Sequence, residues 1–453
     1  MVALRPRLSQ LIESAENRTF RQFEALGVDE AEATDATGRI VEIRVPDHAS
    51  RSRRLLAHAL LDSVLRLDPL VVEVRVDGFD PAMLKEIETR VPFEGSKCSG
   101  GAADYLISVG EVDVDADLVL DGLGWLVDLG GIIQSDREDP VLNPVGPLAA
   151  AALGAGEVFK ALFAKTHPAA PASRRFVEAR GRFSFFDYTP DGANPPLEPF
   201  ALDWFMVGAG GVGAGVISVV GELGESVSGC LRLIDHDRLD VDSINRVSYA
   251  RWQAAVEREQ KAIEAKRYLD ARLGNLKVAA HPERFGEFKR KLAPRRADRH
   301  YDVVLTALDD DAVRHEVQRD LPRVLIDGAT GRHANMVIER VLLGKWGCLG
   351  CTRRTPAATP AVDGKGACDQ FPDERAPSIS FLSALPGILA AGELIKEAAG
   401  GRGSLRGAFR HVFFYGLNPD MHDESEQVDT CVVRCGASNV LREYAKKYPE
   451  QLR

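Results

Sequence analysis

Apolar and polar positions along the chain alternate between two rhythms. Short apolar runs such as EIRV, LVVEVRV, YLISV, FMV, LRLI and VVLT read as strands buried on both faces, because almost no polar residue interrupts them. Longer stretches such as RSRRLLAHALLDSVLRL, LAAAALGAGEVFKALF, AGVISVVGELG and LSALPGILAAGELIKEA carry a helical rhythm of small and apolar residues. Strands and helices succeed one another as strand, loop, helix, strand. That order predicts βαβ units and a parallel sheet.

The pattern occurs twice. AGEVFK (Ala155 to Lys160) and AGELIK (Ala391 to Lys396) each close a small-residue helix. ADYLISVG echoes YDVVLTALDD, and EIRVPDHASRSRRLLAHALLDSVLRL followed by LVVEVRVD echoes WFMVGAGGVGAGVISVVGELG followed by LRLIDHD. One echo of a short apolar string is weak evidence, whereas three in the same order predict two copies of one α/β domain. The expected division is residues 1–195 and 196–453, joined through a Pro-rich and small-residue stretch near 165–200. Only the second copy carries glycines at its first strand–helix turn. The first has Pro46, Asp47, His48, Ala49 and Ser50 there, which keeps the backbone away from a phosphate and predicts a degenerate copy.

In the second copy, Gly208-Ala-Gly210-Gly211-Val-Gly213 follows a strand and opens a helix, the context a nucleotide-phosphate loop requires. Gly208 makes the turn, Gly210 admits phosphate oxygens to backbone N–H groups, and Gly213 lets helix and strand pack closely. Asp235 ends the next strand, about 20 residues on, where an acid suits a ribose hydroxyl. Arg246 and Lys261 follow and suit the β- and γ-phosphates of a triphosphate better than a dinucleotide. Asp309, at a strand end, suits Mg²⁺. The plainer alternative for Arg246 and Lys261 is a pair of solvated helix charges.

Composition narrows the classes. Apolar residues make up 45% and charged residues 27%, ordinary for a globular chain. Lys and Arg total 57 against 67 Asp and Glu, a net charge of −10, which argues against a nucleic-acid partner. The N-terminus shows no secretory signal and the glycine-loop stretch is too short to span a bilayer, so a cytoplasmic protein with no membrane partner is expected. Seven cysteines are then reduced thiols, metal ligands or a nucleophile. Cys348 and Cys351 (CLGC) with Cys431 and Cys435 (CVVRC) fit a closed, structural Zn²⁺ site, the second pair sharing one helix face at i, i+4. Cys368 lies in a polar Gly/Pro-rich loop near Lys365 and ahead of a helix, where a thiolate nucleophile is possible, against the alternative of an incidental thiol. Cys98 and Cys230 are read as non-catalytic.

VGAGGVGAG, LIDHDRLDVDSINRVSYA, EQKAIEAKRYLDARLGN, VVLTALDDDAVR and CLGC, in that order, resemble the ubiquitin-activating family that includes the ThiF and MoeB adenylyltransferases. The resemblance covers roughly residues 200–440, with a faint echo in NPVGPLAAAALGAGEVFKALF. It implies tandem Rossmann-like ThiF-type adenylation domains, the first inactive, paired as a pseudo-dimer within the chain, with a homodimer also open. It implies activation of the C-terminal carboxylate of a ubiquitin-like protein ending in glycine by Mg-ATP, then a thioester on Cys368 and transfer to a conjugating enzyme. Gly208, Gly210, Gly211 and Gly213 would hold the phosphates, Asp235 the ribose, Arg246 and Lys261 the phosphates, and Asp309 the Mg²⁺ and α-phosphate. Arg21, in NRTFRQ, resembles the arginine that reaches the nucleotide from the other half. The family's S-N-L-N-R-Q stands here as Asp242-Ser243-Ile244-Asn245-Arg246-Val247, so Ser243 replaces an ATP-contacting Asn. No ubiquitin-fold module follows Cys435, so a conjugating enzyme would have to dock elsewhere. The alternatives are a sulfur-carrier adenylyltransferase, an NAD-dependent oxidoreductase and a non-catalytic scaffold of the same fold.

Overall fold

The computed structural model describes residues 1–12, 17–28, 38–98, 100–134, 140–292, 302–331, 334–343, 347–352, 379–413, 416–417, 420–423, 431 and 433–449. Two mixed sheets organise the chain. The first holds β1 (Val2–Pro6), β2 (Arg39–Arg44), β3 (Val71–Asp77), β4 (Phe93–Lys97), β5 (Tyr105–Val109), β6 (Leu118–Leu123), β7 (Leu126–Leu129), β8 (Gly181–Ser184) and β9 (Thr189–Pro190). The second holds β10 (Phe200–Val207), β11 (Val227–Ile234), β12 (Leu276–His281), β13 (Val303–Thr306), β14 (Val324–Gly331), β15 (Asn335–Val341), β16 (Gly407–Val412) and β17 (Asp420–Asp423).

The strand orders are β4-β1-β3-β2-β5-β6-β7-β8-β9 and β12-β11-β10-β13-β14-β15-β16-β17. In the first sheet β3, β2, β5 and β6 are parallel and β7, β8 and β9 follow antiparallel. In the second, β11, β10, β13 and β14 are parallel and β15, β16 and β17 antiparallel. The orders therefore correspond from β3/β11 to β9/β17, and the sequence echoes fall on matching members. They diverge at one edge, where the first sheet has antiparallel β1 and β4 and the second has parallel β12. The stretch near 165–200, expected to be a connection, contributes β8 and β9. Their four and two residues among Pro and Gly leave no readable period.

A further match was not legible as an echo. Asp121-Gly122 on β6 and Asp327-Gly328 on β14 are both fully enclosed acids paired with arginine: Arg53 Nη2 to Asp121 at 2.8 Å and Arg314 Nε to Asp327 at 3.0 Å. In each sheet the glycine lies under a core helix. A Cβ on Gly122 would meet Pro147 at 2.8 Å, and one on Gly328 would meet Pro386 O at 3.1 Å.

Four helices form the seam between the sheets: Arg51–Leu65 and Val145–Thr166 from one side, Gly211–Glu222 and Ser380–Ala398 from the other. Small residues set the spacing. A Cβ on Gly215 would sit 2.2 Å from Ala384 O, and one on Gly387 1.9 Å from Val212 O. Phe159 and Phe381 meet across the seam at 5.6 Å. One contiguous apolar core takes in residues of both sheets and all four helices. Val145–Thr166 is apolar enough to span a bilayer by composition, but 89% of its apolar window is buried here against protein. Within AGEVFK and AGELIK the polar residues are buried ion pairs, Glu157–Lys160 at 2.6 Å and Glu393–Lys396 at 2.7 Å. Glu393 also accepts from Tyr188 Oη at 2.5 Å and from the Leu405 N–H at 2.8 Å, so its buried charge is fully partnered.

Candidate active site

A cleft of about 1300 Å³ opens at the C-terminal ends of β10, β11 and β13, where doubly wound sheets bind ligands. Its floor is the loop 208–211. Gly208 has φ +99° and donates its N–H to Ile234 O at 2.9 Å, and a Cβ there would stand 2.3 Å from Ala307 O. Gly213 packs under it, with a Cβ reaching Gly208 O at 2.5 Å. Gly210 is different: its φ is −72° and a Cβ would meet nothing within 4 Å. This position faces open cleft at the start of a twelve-residue helix whose first N–H groups lack intrahelical acceptors.

Asp235 holds the loop. Its Oδ2 accepts the Ala209 N–H at 2.6 Å and its Oδ1 the Asp237 N–H at 2.8 Å. Burial pushes its carboxyl pKa up, while Lys261 and these bonds pull it back. Tyr249 Oη donates to Ala209 O at 2.7 Å and steadies the loop from the other side. Lys261, first residue of the helix Lys261–Asp270, is nearly buried and reaches Asp237 Oδ2 at 2.9 Å. Burial, the largest single influence, would raise the Asp237 carboxyl; the bond to Lys261 together with the charges of Lys261, His236 and Arg284 outweighs it and holds the group below its ordinary value.

Arg246 lines the cleft beside Gly211, whose Cβ would lie 3.2 Å from Arg246 Cδ. Burial first, and then the nearby charge of Arg18, lower its pKa, although the guanidinium stays charged. Asp309 stands exposed on the wall and makes no side-chain bond among the described residues. Its loop is fixed from behind by Arg314, which bonds Asp327 at 3.0 Å, Asp311 at 2.7 Å and the Leu308 carbonyl. Thr306 donates to the same Asp327 oxygen at 2.5 Å.

The glycine loop, Asp235, Arg246, Lys261 and Asp309 thus converge on one cleft. Ser243 does not line it: its hydroxyl donates to Asp240 at 2.6 Å in a capping box that starts the 3₁₀ turn Val241–Asn245, and it is buried. Nor is Arg21 among the lining residues. Arg18, one turn earlier on the helix Arg18–Ala25, takes that place. Cys368 lies outside the described residues. The sequence assigns no role to Arg18, Asp242, Arg314 or Asp327, although Arg18 lies in NRTFRQ, Asp242 in LIDHDRLDVDSINRVSYA and Arg314 in VVLTALDDDAVR.

Cys348, Cys351, Cys431 and Cys435 are buried together. Sγ separations are 4.0 Å for 348–351, 3.4 Å for 348–431 and 3.4 Å for 351–435. Four sulfurs about 2.3 Å from a central Zn²⁺ would stand about 3.8 Å apart in a tetrahedron, so the set fits that ion. The second pair is a turn rather than the expected helical face: the Arg434 N–H donates to Cys431 O at 2.9 Å and Arg434 adopts φ +56°. The cluster shares an apolar core with Phe285, Phe288 and Tyr444, beneath the outer cleft wall.

Residues 200–431 match the ThiF family. The uncharacterized protein y4jF of Sinorhizobium fredii (strain NBRC 101917 / NGR234) is 31% identical over 219 residues, 46% of this chain and 38% of that protein, so the match spans well under half of the relative. Among solved structures, E. coli MccB with ATP overlaps 70% of this chain and 97% of its own at 15% identity and a TM-score of 0.39. E. coli MccB with selenomethionyl MccA overlaps 52% and 67% at 16% identity and a TM-score of 0.38.

Proposed function

The chain belongs to the ThiF family, and from that premise we propose that it is an adenylyltransferase that activates a protein C-terminal carboxylate with Mg-ATP. One observation carries the reading: Gly210 leaves empty space at a helix N-terminus while Arg18, Arg246 and Lys261 converge on the same cleft. Three cations exceed what a dinucleotide's two phosphates ask for, which disfavours the oxidoreductase alternative. A cleft of about 1300 Å³ also exceeds the ~300–1,000 Å³ usual for one small ligand and leaves room for a peptide tail.

In this reading the backbone N–H groups after Gly210 hold phosphate oxygens, Asp235 accepts from the ribose, and Arg246, Lys261 and Arg18 hold the phosphates in line. The open carboxylate of Asp309 suits Mg²⁺, which would offset phosphate charge. The substrate carboxylate oxygen attacks the α-phosphorus, the α–β bridging bond breaks, and pyrophosphate carries away the electron pair. No proton moves, so positioning and charge neutralisation supply the catalysis. The acyl adenylate then passes to the Cys368 thiolate with loss of AMP, and from there to a conjugating enzyme. A ubiquitin-like protein ending in glycine is the proposed substrate. The four-cysteine cluster is proposed to hold a structural Zn²⁺ with no open coordination position.

The first half is proposed as the degenerate copy of a pseudo-dimer. Its equivalent loop is satisfied by its own side chains: Ser50 Oγ accepts the Arg53 N–H at 3.3 Å, and Arg54 Nε donates to Ala49 O at 2.9 Å. The test is exchange of radiolabelled pyrophosphate into ATP with a β-grasp protein ending in glycine. Exchange that depends on that protein and is lost in Arg246→Ala supports adenylation, and no exchange refutes it. A thiol-reducible conjugate that survives Cys368→Ala refutes the thioester step alone.

A further inference from the structure

Arg18 and Arg246 come from opposite sides of the seam and are held by one carboxylate. Arg18 Nε lies 3.2 Å from Asp242 Oδ1 and its Nη2 2.7 Å from Oδ2, a two-point contact. Arg246 Nη1 reaches the same Oδ2 at 3.3 Å. Both guanidinia line the cleft, whereas Asp242 does not, so the carboxylate stands behind them. All three side chains are mostly enclosed, with 16%, 16% and 22% exposure for Arg18, Asp242 and Arg246.

Each partner is anchored on its own side. Asn17 caps the Arg18–Ala25 helix by accepting the Thr19 N–H at 2.9 Å and donates to Asp68 O at 3.2 Å. Phe23 of that helix packs against Phe163 at 5.4 Å. Asp242 sits in the turn fixed by the Asp240–Ser243 capping box, and Asn245 Nδ2 donates to its carbonyl at 3.3 Å. Two guanidinia this close repel unless an anion lies between them.

We propose that Asp242 is a positioning residue that joins Arg18 of the first half to Arg246 of the second, presenting them as one preformed phosphate clamp in the cleft. The proposal rests on the nucleotide reading of that cleft. Without the carboxylate, mutual repulsion turns Arg18 out toward solvent and the cleft loses a cation that the first half supplies. The gain of one net positive charge in the site works the other way, so the sign of the effect separates positioning from simple competition with phosphate.

The test is calorimetric titration of the full chain with MgATP, run on wild type, Asp242→Asn, Asp242→Glu, Arg18→Ala and the Asp242→Asn/Arg18→Ala double variant, each also followed by thermal melting. Asp242→Asn weakens MgATP about tenfold, the size of a lost charge-assisted contact. Asp242→Glu restores binding to within about threefold, and in the Arg18→Ala background Asp242→Asn changes affinity less than about twofold, because the two-point Arg18 contact is already gone and only the single 3.3 Å contact to Arg246 remains to be lost. Binding equal to or tighter than wild type in Asp242→Asn overturns the proposal. So does an equal loss in the Arg18→Ala background, or a lowered melting temperature with unchanged affinity. Wild type that binds no MgATP removes the nucleotide reading itself, a result distinct from the others.

Discussion

Gly208 and Gly210 stand two residues apart and are glycine for different reasons. Gly208 needs a positive φ and has no space for a Cβ, whereas Gly210 has an ordinary φ and faces open cleft. Gly208→Ala should therefore lower stability by at least about 1 kcal/mol. Gly210→Ala should melt within a degree or so of wild type yet lose MgATP affinity, because its methyl fills the phosphate position. Thermal melts paired with nucleotide titration check both. Arg314 offers a contrasting case, since its removal leaves Asp327 charged and enclosed. Arg314→Ala should cost about 3–5 kcal/mol in denaturant unfolding, and adding Asp327→Asn should recover part of it. These contrasts mark what was readable beforehand. Gly208, Gly210, Gly213 and Asp235 were legible because strand, turn, helix and acid follow one another within one βαβ unit. Arg18 and Asp242 were not, because they meet across 224 residues of sequence. Ser243 lies off the cleft lining because Asp240, three residues earlier, draws its hydroxyl into a cap.

Strands and helices of the two sheets were legible where they are long and apolar. β8 and β9 were not, being too short to show a period, and β1 and β4 owe their place to pairing with β3 and with each other. The paired cysteines were legible by their spacing, while the turn at Arg434 required the backbone. The pairs Cys348/Cys351 and Cys431/Cys435 bracket the chain that includes the helix Ser380–Ala398, so the cluster closes a long loop against Phe285 and Tyr444. Metal analysis of the purified chain should find one Zn²⁺ per molecule. Chelation, or Cys348→Ser, should lower the melting temperature and loosen the helix Ser438–Lys447, seen as faster amide exchange there. The Gly211–Glu222 helix, in the other apolar core, should keep its protection.

The two sheets share one core, so they should unfold together rather than as separate units. The seam also carries a pH dependence. His58 is held down to about 4 by burial and by Arg90, with Glu86 and Asp62 opposing and Arg272 adding to the lowering. His411 is held to about 4 by burial and Lys160. Between pH 4 and the ordinary histidine value near 6.5 the unfolded chain binds protons that the folded chain refuses, so these groups lose stability as pH falls through that window, by up to about 3 kcal/mol each. Asp68, raised to about 6 by burial, has the opposite slope. The difference between wild type and His58→Gln isolates the histidine: denaturant unfolding at pH 7.5 and pH 4.5 should show a smaller loss in the variant.

The whole reading turns on what the glycine cleft holds. Titrating the purified chain with MgATP and, separately, with NAD by calorimetry addresses that directly. One MgATP per chain should bind, Gly210→Ala and Arg246→Ala should abolish the heat, and NAD should give none. Absence of MgATP binding, or saturable NAD binding that Gly210→Ala removes, would contradict it.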